Sequence, residues 1–225
     1  MLSIVSTPIG NLGDITKRAM ETLSSCDAII CEDTRVTGKL LQILELPKKP
    51  LISMHSYSDP NKLDSVLARL KSGEHIVLVS DAGTPGISDP GYALVSRVQK
   101  EGIKIEVVPG PAAFLAALSV SGLPINQFIY IGFLPLKKGR KILLESFKEE
   151  KRTVVFYESV HRIERTISEL ADALAEQPDR PIVIARELTK MHEEVISTTI
   201  GEVVNSTKDM VKKGEFAVIL GANKR

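Results

Sequence analysis

Cysteine is scarce in this 225-residue chain, which has only Cys26 and Cys31. The two lie close together around a probable strand and match neither a disulfide framework nor a zinc spacing, so the sequence predicts free core thiols in a reducing cytoplasm. Long apolar runs are absent too. No segment approaches the roughly 20 residues that cross a bilayer, and the opening MLSIVSTPIG lacks the basic stretch and apolar run of an export signal. A soluble, cytoplasmic protein without a membrane partner is expected. Charge of one sign is also lacking, since 29 Lys and Arg against 28 Asp and Glu leave a formal charge of +1. That excludes coating nucleic acid by bulk electrostatics and confines any RNA contact to a local patch. Gly10 and Gly13 do not complete G-x-G-x-x-G, and no G-K-[ST] follows a glycine run, which disfavours NAD-type and Walker-type sites. No cluster has metal-ligand spacing, and no internal repeat, low-complexity stretch or heptad pattern interrupts the chain.

An apolar fraction of 43% in 225 residues is enough for two cores, which makes two α/β domains the expectation. Short β-rich runs at 3–6, 28–31, 51–54, 75–80 and 105–108, then 128–132, 153–157, 181–186, 195–199 and 217–220, alternate with helical patterns. The helical spacing falls at 15–23, 34–44, 61–71, 91–100, 112–119, 141–149, 163–174 and 202–207. Such alternation predicts mostly parallel sheets with helices on both faces. Asp14, and Asp59 or Asn61, are candidate helix caps. The turn residues of SGLPIN, 121–126, break the pattern and suggest domains at 1–122 and 123–225.

The richest segment is LVSDAGTPGISDPG, 78–91, a strand that ends in a long loop of small residues, glycines and prolines. Ordinary strand-to-helix loops have about two to six residues, and a longer, strongly constrained one suits a ligand seat. Two more loops of this kind, STPIGNLGD at 6–14 and VVPGPAA at 107–113, also follow first-half strands. Open α/β sheets bind ligands at such carboxyl ends. Asp81 suits an amine or ribose of a cofactor, or caps its own loop; Ala112 and Ala113 suit a close ligand approach, or plain helix packing.

The strings STPIGNLGDIT, CEDTR (31–35), SDAGTPGISDPG, VPGPAA, FLP (133–135), FYES with HR (156–162) and ARELTK (185–190) carry a resemblance that runs nearly end to end. The chain resembles the tetrapyrrole methylase superfamily, in its ribosomal branch. That resemblance implies two α/β domains with S-adenosylmethionine (SAM) in the cleft between them, a homodimer, and 2'-O-methylation of a cytidine in the decoding region of 16S rRNA, presented as free rRNA or as the small ribosomal subunit. On it, Pro8, Asp81, Gly83, Thr84, Pro85, Ile87, Ala112 and Ala113, with Phe156 or Tyr157 and Ala217, are expected around the cofactor. Two departures stand out. Gly83-Thr84-Pro85 occupies the place of the Gly-Asp-Pro of the porphyrin and corrin enzymes, so a carboxylate role at Thr84 does not carry over, and His55-Ser56-Tyr57 stands where relatives tend to show His-Asn-Glu, which weakens a family argument for an acid or base there. A tetrapyrrole methylase acting on a small molecule and a non-catalytic RNA-binding module are the competing readings.

Methyl transfer from a sulfonium to a 2'-hydroxyl needs in-line positioning and help in removing the proton. Carboxylates and cations cluster after the second strand and in the second half, among them Glu158, His161, Arg186 and Lys190. Glu32, Asp33 and Glu187 are the expected groups near the hydroxyl, and Arg35 and Arg162 the expected phosphate contacts. Asp33 has a plainer reading as a helix cap paired to Arg35. Lys137, Lys138, Arg140 and Lys141 concentrate four positive charges in five residues and suit an RNA backbone.

Overall fold

The computed structural model describes residues 1–54, 60–89 and 91–223. The chain divides into two units, Met1–Ala112 and Ala113–Arg225. His55, Ser56, Tyr57 and the proposed cap Asp59 lie outside the described residues.

In the first unit, apolar runs too short for helices become the parallel strands β1 (Leu2–Val5), β2 (Ala28–Cys31), β3 (Leu51–Ser53), β4 (Ile76–Leu78) and β5 (Ile105–Val108), ordered β3-β2-β4-β1-β5. Both faces are buried, as parallel sheets require. Leu2, Ile30, Ile76 and Leu78 pack under α3 (Pro60–Lys71) and α4 (Tyr92–Lys100) through Val66, Leu67, Leu70, Leu94 and Val98. The alternate residues Val5, Ile29, Cys31 and Val77 pack under α1 (Lys17–Ser25) and α2 (Thr34–Ile43) through Ala19, Leu23 and Leu41. Cys26 and Cys31 are free, buried thiols, as expected. Thr16, not Asp14, caps α1: its side chain accepts from the Ala19 amide, while Asp14 sits in the preceding 3-10 turn.

The second unit opens with α5 (Ala113–Val120), followed by β6 (Phe128–Phe133), α6 (Arg140–Ser146), β7 (Thr153–Ser159), α7 (Ile163–Ala173), β8 (Pro181–Arg186), β9 (Glu194–Thr199), α8 (Val203–Ser206) and β10 (Glu215–Leu220). The sheet order is β6-β7-β10-β8-β9. Here β6 and β7 are parallel while β7–β10, β10–β8 and β8–β9 are antiparallel, so the second sheet is mixed. The α/β class stands. The antiparallel pairs have a simple cause at β8–β9: residues 187–193 carry no helix, and a short connection returns the chain antiparallel.

Helix α5 moves the boundary. Ala117 and Leu118 pack on Val155, Val183, Ala185, Ala217 and Ile219 of the second sheet. The units therefore meet at residue 112, not 122, because the helix buries its side chains on the later strands. The opposite face packs Val154, Phe156, Ile184 and Val218 against Leu144, Ile163, Ile167 and Leu170 of α6 and α7. Among the described residues no helix is long and apolar enough to cross a membrane.

Candidate functional site

In the first unit, hydroxyls stitch the three Pro/Gly-rich loops together at the carboxyl ends of β1, β4 and β5. Ser6 Oγ and Thr84 Oγ1 lie 2.8 Å apart, and Thr84 Oγ1 donates to the Pro111 carbonyl at 3.0 Å. Thr7 Oγ1 donates to the Ser80 carbonyl, and the Thr7 and Gly83 backbones exchange bonds of 2.8 and 3.1 Å. Gly110 allows the closest approach: a Cβ there would stand 2.9 Å from Ser6 Cβ. Thr84 thus takes a structural post, its hydroxyl shared between two other loops. Gly83 and Pro85 are buried, Pro8, Ile87 and Ala112 are half-buried, and Asp81 is exposed. A rigid rim of backbone with one outward carboxylate fits a zwitterion carrying an amine, a carboxylate and a ribose.

The second strand adds a fourth loop. Asp81 Oδ1 accepts from the Asp33 amide at 3.1 Å, which ties CEDTR to the 78–91 loop. Asp33 caps α2, accepting from the Arg35 amide at 2.8 Å, and its carboxylate pairs with the Arg35 guanidinium at 2.6 Å. Those bonds from Arg35 hold the Asp33 acid down at about 2. A carboxylate so acidic is a weak base, and the cap explains it. Glu32 lines a small cavity with Cys31, Met54, Leu78, Val79, Ser80 and Gly91. Asp89, beside Ser80, is pushed up to about 6, chiefly by burial, with Glu32 and Asp81 adding repulsion. This places three carboxylates in one electrostatic neighbourhood. Among the described residues no group suits a metal ion.

In the second unit, Tyr157 and Ala217 lie on the face of the sheet that carries α5. The Tyr157 hydroxyl accepts from the Phe114 amide at 2.9 Å, near the start of that helix and next to Ala113. Phe156 points the other way, fully buried among α6 and α7, so strand alternation removes it from the cofactor set and leaves Tyr157. Glu187 is likewise occupied. Its carboxylate accepts from Lys190 Nζ at 2.8 Å and from the Glu215 amide at 3.0 Å. Burial, the largest single influence, opposes its ionisation, but the bonds from Lys190 and the Glu215 amide with the Lys190 and Arg186 charges together hold the acid below its ordinary range. It closes the β8–β9 connection and is a poor proton acceptor.

The basic run splits. Lys137, Lys138 and Lys141 are exposed, whereas Arg140 is 3% exposed and bonded to Glu169, Thr166 and the Pro135 carbonyl. A buried, fully paired guanidinium cannot meet a phosphate, which corrects the expectation for Arg140. Arg162 pairs with buried Glu158 at 2.8 Å and donates to the Leu134 carbonyl, so it too is structural. Arg35 has an exposed side chain despite its pairing with Asp33.

Residues 1–204 match the family described as Tetrapyrrole (Corrin/Porphyrin) Methylases. The chain belongs to this family. Among curated relatives, a Thermotoga maritima protein named ribosomal RNA small subunit methyltransferase I is 46% identical over 97% of both chains. An Escherichia coli O157:H7 protein of the same name is 45% identical over 99% of this chain and 78% of its own. Among solved structures, a cobalt precorrin-4 methyltransferase of cobalamin biosynthesis covers 98% of this chain and 94% of its own with a TM-score of 0.69 at 20% identity. A Thermus thermophilus uroporphyrin-III C-methyltransferase complexed with S-adenosylhomocysteine covers 97% and 96% with a TM-score of 0.65 at 19% identity. These structures show the tetrapyrrole methylase fold.

Sequence reasoning missed two features of this tetrapyrrole methylase. Asp89 was hidden inside the quoted SDPG string, where nothing in the residue pattern separates a half-buried acid from a turn-former. The tying hydroxyls of Ser6 and Thr7 were equally silent. A Ser-Thr pair at a strand end is common, and only the strand order brings it beside Ser80 and Thr84.

Proposed function

We propose that this chain is a SAM-dependent methyltransferase that methylates the ribose 2'-oxygen of a cytidine in the decoding region of 16S rRNA. The observation that carries this reading is the 46% identity to a ribosomal RNA small subunit methyltransferase I over 97% of both chains. SAM supplies a methyl group activated by its sulfonium. Asp81 would hold the cofactor's amine or ribose, and the backbone of Gly83, Pro85 and Ile87, with Pro8, Ala112 and Ala113, would enclose it; Tyr157 and Ala217 are the residues that the family resemblance adds. Thr84 acts indirectly by fixing the loops. Glu32 is the carboxylate we place near the acceptor hydroxyl, because Asp33 is committed to its cap and Glu187 to Lys190. Lys137, Lys138 and Lys141, with Arg35, would meet phosphates. The substrate places the protein in the cytoplasm, and the family resemblance supports a homodimer, which light scattering tests.

The experiment is transfer of labelled methyl from SAM to small subunits and to naked 16S rRNA, with the digested nucleotides read by mass spectrometry. A ribose-methylated cytidine is the expected product. SAM binding without transfer to either RNA would favour a small-molecule methylase instead.

A further inference from the structure

Phe133 is a large aromatic placed where burial was available and not used. Strand β6 pairs with β7 at Tyr130↔Val155 and next at Phe133↔Tyr157, three steps against two. This is a bulge of one extra residue, and Gly132, with φ 73°, supplies its left-handed backbone. The extra residue reverses the alternation, so Phe133 shares the face of Tyr157, ring centroids 5.6 Å apart, instead of entering the core with Ile131. It ends 53% exposed, and Leu136, three residues on, is 69% exposed.

The segment after the bulge is held from beneath. Arg162 Nη1 donates to the Leu134 carbonyl at 3.0 Å and Arg140 Nη1 to the Pro135 carbonyl at 3.1 Å. Both arginines lean on Glu158, a fully buried carboxylate that also accepts from Thr166 Oγ1 at 2.7 Å. Leu134 is buried as the apolar anchor. What this scaffold presents outward is a ring, Leu136, and the ammonium groups of Lys137 and Lys138, neither of which makes an ion pair among the described residues. A clamped aromatic beside unpaired lysines matches the chemistry of unstacked RNA, whose bases offer π-faces and whose backbone offers phosphates.

We infer that Phe133 is a stacking platform for a nucleobase of the RNA substrate, with Lys137 and Lys138 on the adjacent phosphates. The inference rests on the RNA methyltransferase reading and names where the substrate is gripped. Splaying a base out of its stack is what makes a ribose hydroxyl approachable, and a pre-set ring lowers the cost of doing so.

The chain has no tryptophan, so Phe133→Trp installs a single indole at the platform. Titrating this variant with a transcript of the decoding-region RNA is expected to quench the indole emission to saturation. Phe133→Ala is expected to raise KM for that transcript roughly tenfold to hundredfold, as loss of one stacked base does, with SAM affinity and Tm unchanged; Phe133→Tyr restores KM and Phe133→Leu does not. Emission indifferent to RNA, or an unaltered KM in Phe133→Ala, would overturn the inference. So would an emission change that follows protein concentration without RNA, since a second copy would then cover the ring. If the wild type methylates the transcript while these variants behave as wild type, the platform fails and the enzyme reading survives. If the wild type methylates no RNA, the reading itself has failed.

Discussion

The hydroxyls of Ser6 and Thr84 lie 2.8 Å apart although 78 residues separate them in the chain. Their bond, continued by Thr84 to the Pro111 carbonyl, makes one rim of three loops. Thr84→Val keeps the shape and removes both bonds, leaving a partly buried hydroxyl and a carbonyl without their partner. We expect a loss of ~1–3 kcal/mol of stability and a several-fold weaker SAM affinity, read by denaturant unfolding and calorimetry. An unchanged SAM affinity would show that the rim does not shape the cofactor seat.

Gly110 sets the distance between the first and third loops. Gly110→Ala brings its Cβ to 2.9 Å from Ser6 Cβ, so one loop must shift. The expected cost is ~1–3 kcal/mol, typical of forced overpacking. Gly122→Ala is the comparison for backbone strain alone, since its Cβ would meet nothing within 4 Å although φ is +66°. A Gly110→Ala protein that unfolds at the wild-type midpoint would show that the contact with Ser6 is harmless.

The basic run should divide by function along the line of burial. Lys137, Lys138 and Lys141 changed together to Gln are expected to leave stability within ~0.5 kcal/mol while lowering the salt slope of RNA binding by about two to three. Arg140→Gln is expected to do the reverse in kind, costing ~1–3 kcal/mol by taking a buried guanidinium away from Glu169, Thr166 and the Pro135 carbonyl, while Glu158 keeps Arg162. Filter binding across a salt series and thermal unfolding, run on both variants, test the division. An Arg140→Gln protein of normal Tm would contradict it.

Asp89 gives the stability a pH dependence of unusual sign. Its acid rises from near 3.8 in the unfolded chain to about 6 in the folded one, chiefly through burial. Between those values the native state keeps a proton that the unfolded state has lost, so stability falls as pH rises through this window. The loss is at most ~2 kcal/mol once solvent screening is allowed for. Asp89→Asn should flatten this limb and be more stable than wild type at pH 7. Identical pH–stability curves would show that Asp89 is solvated.

The strands of the first unit were legible because parallel strands buried on both faces read as plain apolar runs; β2 is AIIC and nothing else competes for it. Helix α5 was legible as a helix but not as a member of its unit. AFLAALSV is apolar nearly all round, so its pattern names no preferred neighbour, and the turn residues of SGLPIN outweigh those of PGPAA. The mixed second sheet was visible only at β8–β9, where no helical pattern separates the strands. Within the candidate site, the three loops themselves were legible because glycine and proline act locally. The fate of Arg140 was not, since burial of one charge within a run of four is settled by Glu158 and Glu169, distant in sequence. Phe156 and Tyr157 were left as alternatives, and strand alternation separates them.

The bulge at Gly132 also bears on how this chain tolerates length variation. A strand with its pairing in phase absorbs substitution more readily than deletion, and here the phase is broken on purpose. Loss of a single codon between Tyr130 and Phe133 would remove the extra residue and restore regular pleating with Phe133 still opposite Tyr157 and Leu134 still turned inward, so the clamped carbonyls would keep their arginines. The bulge is thus a place where the second unit can shorten by one residue and keep its ring, its apolar anchor and both clamped carbonyls on their present faces.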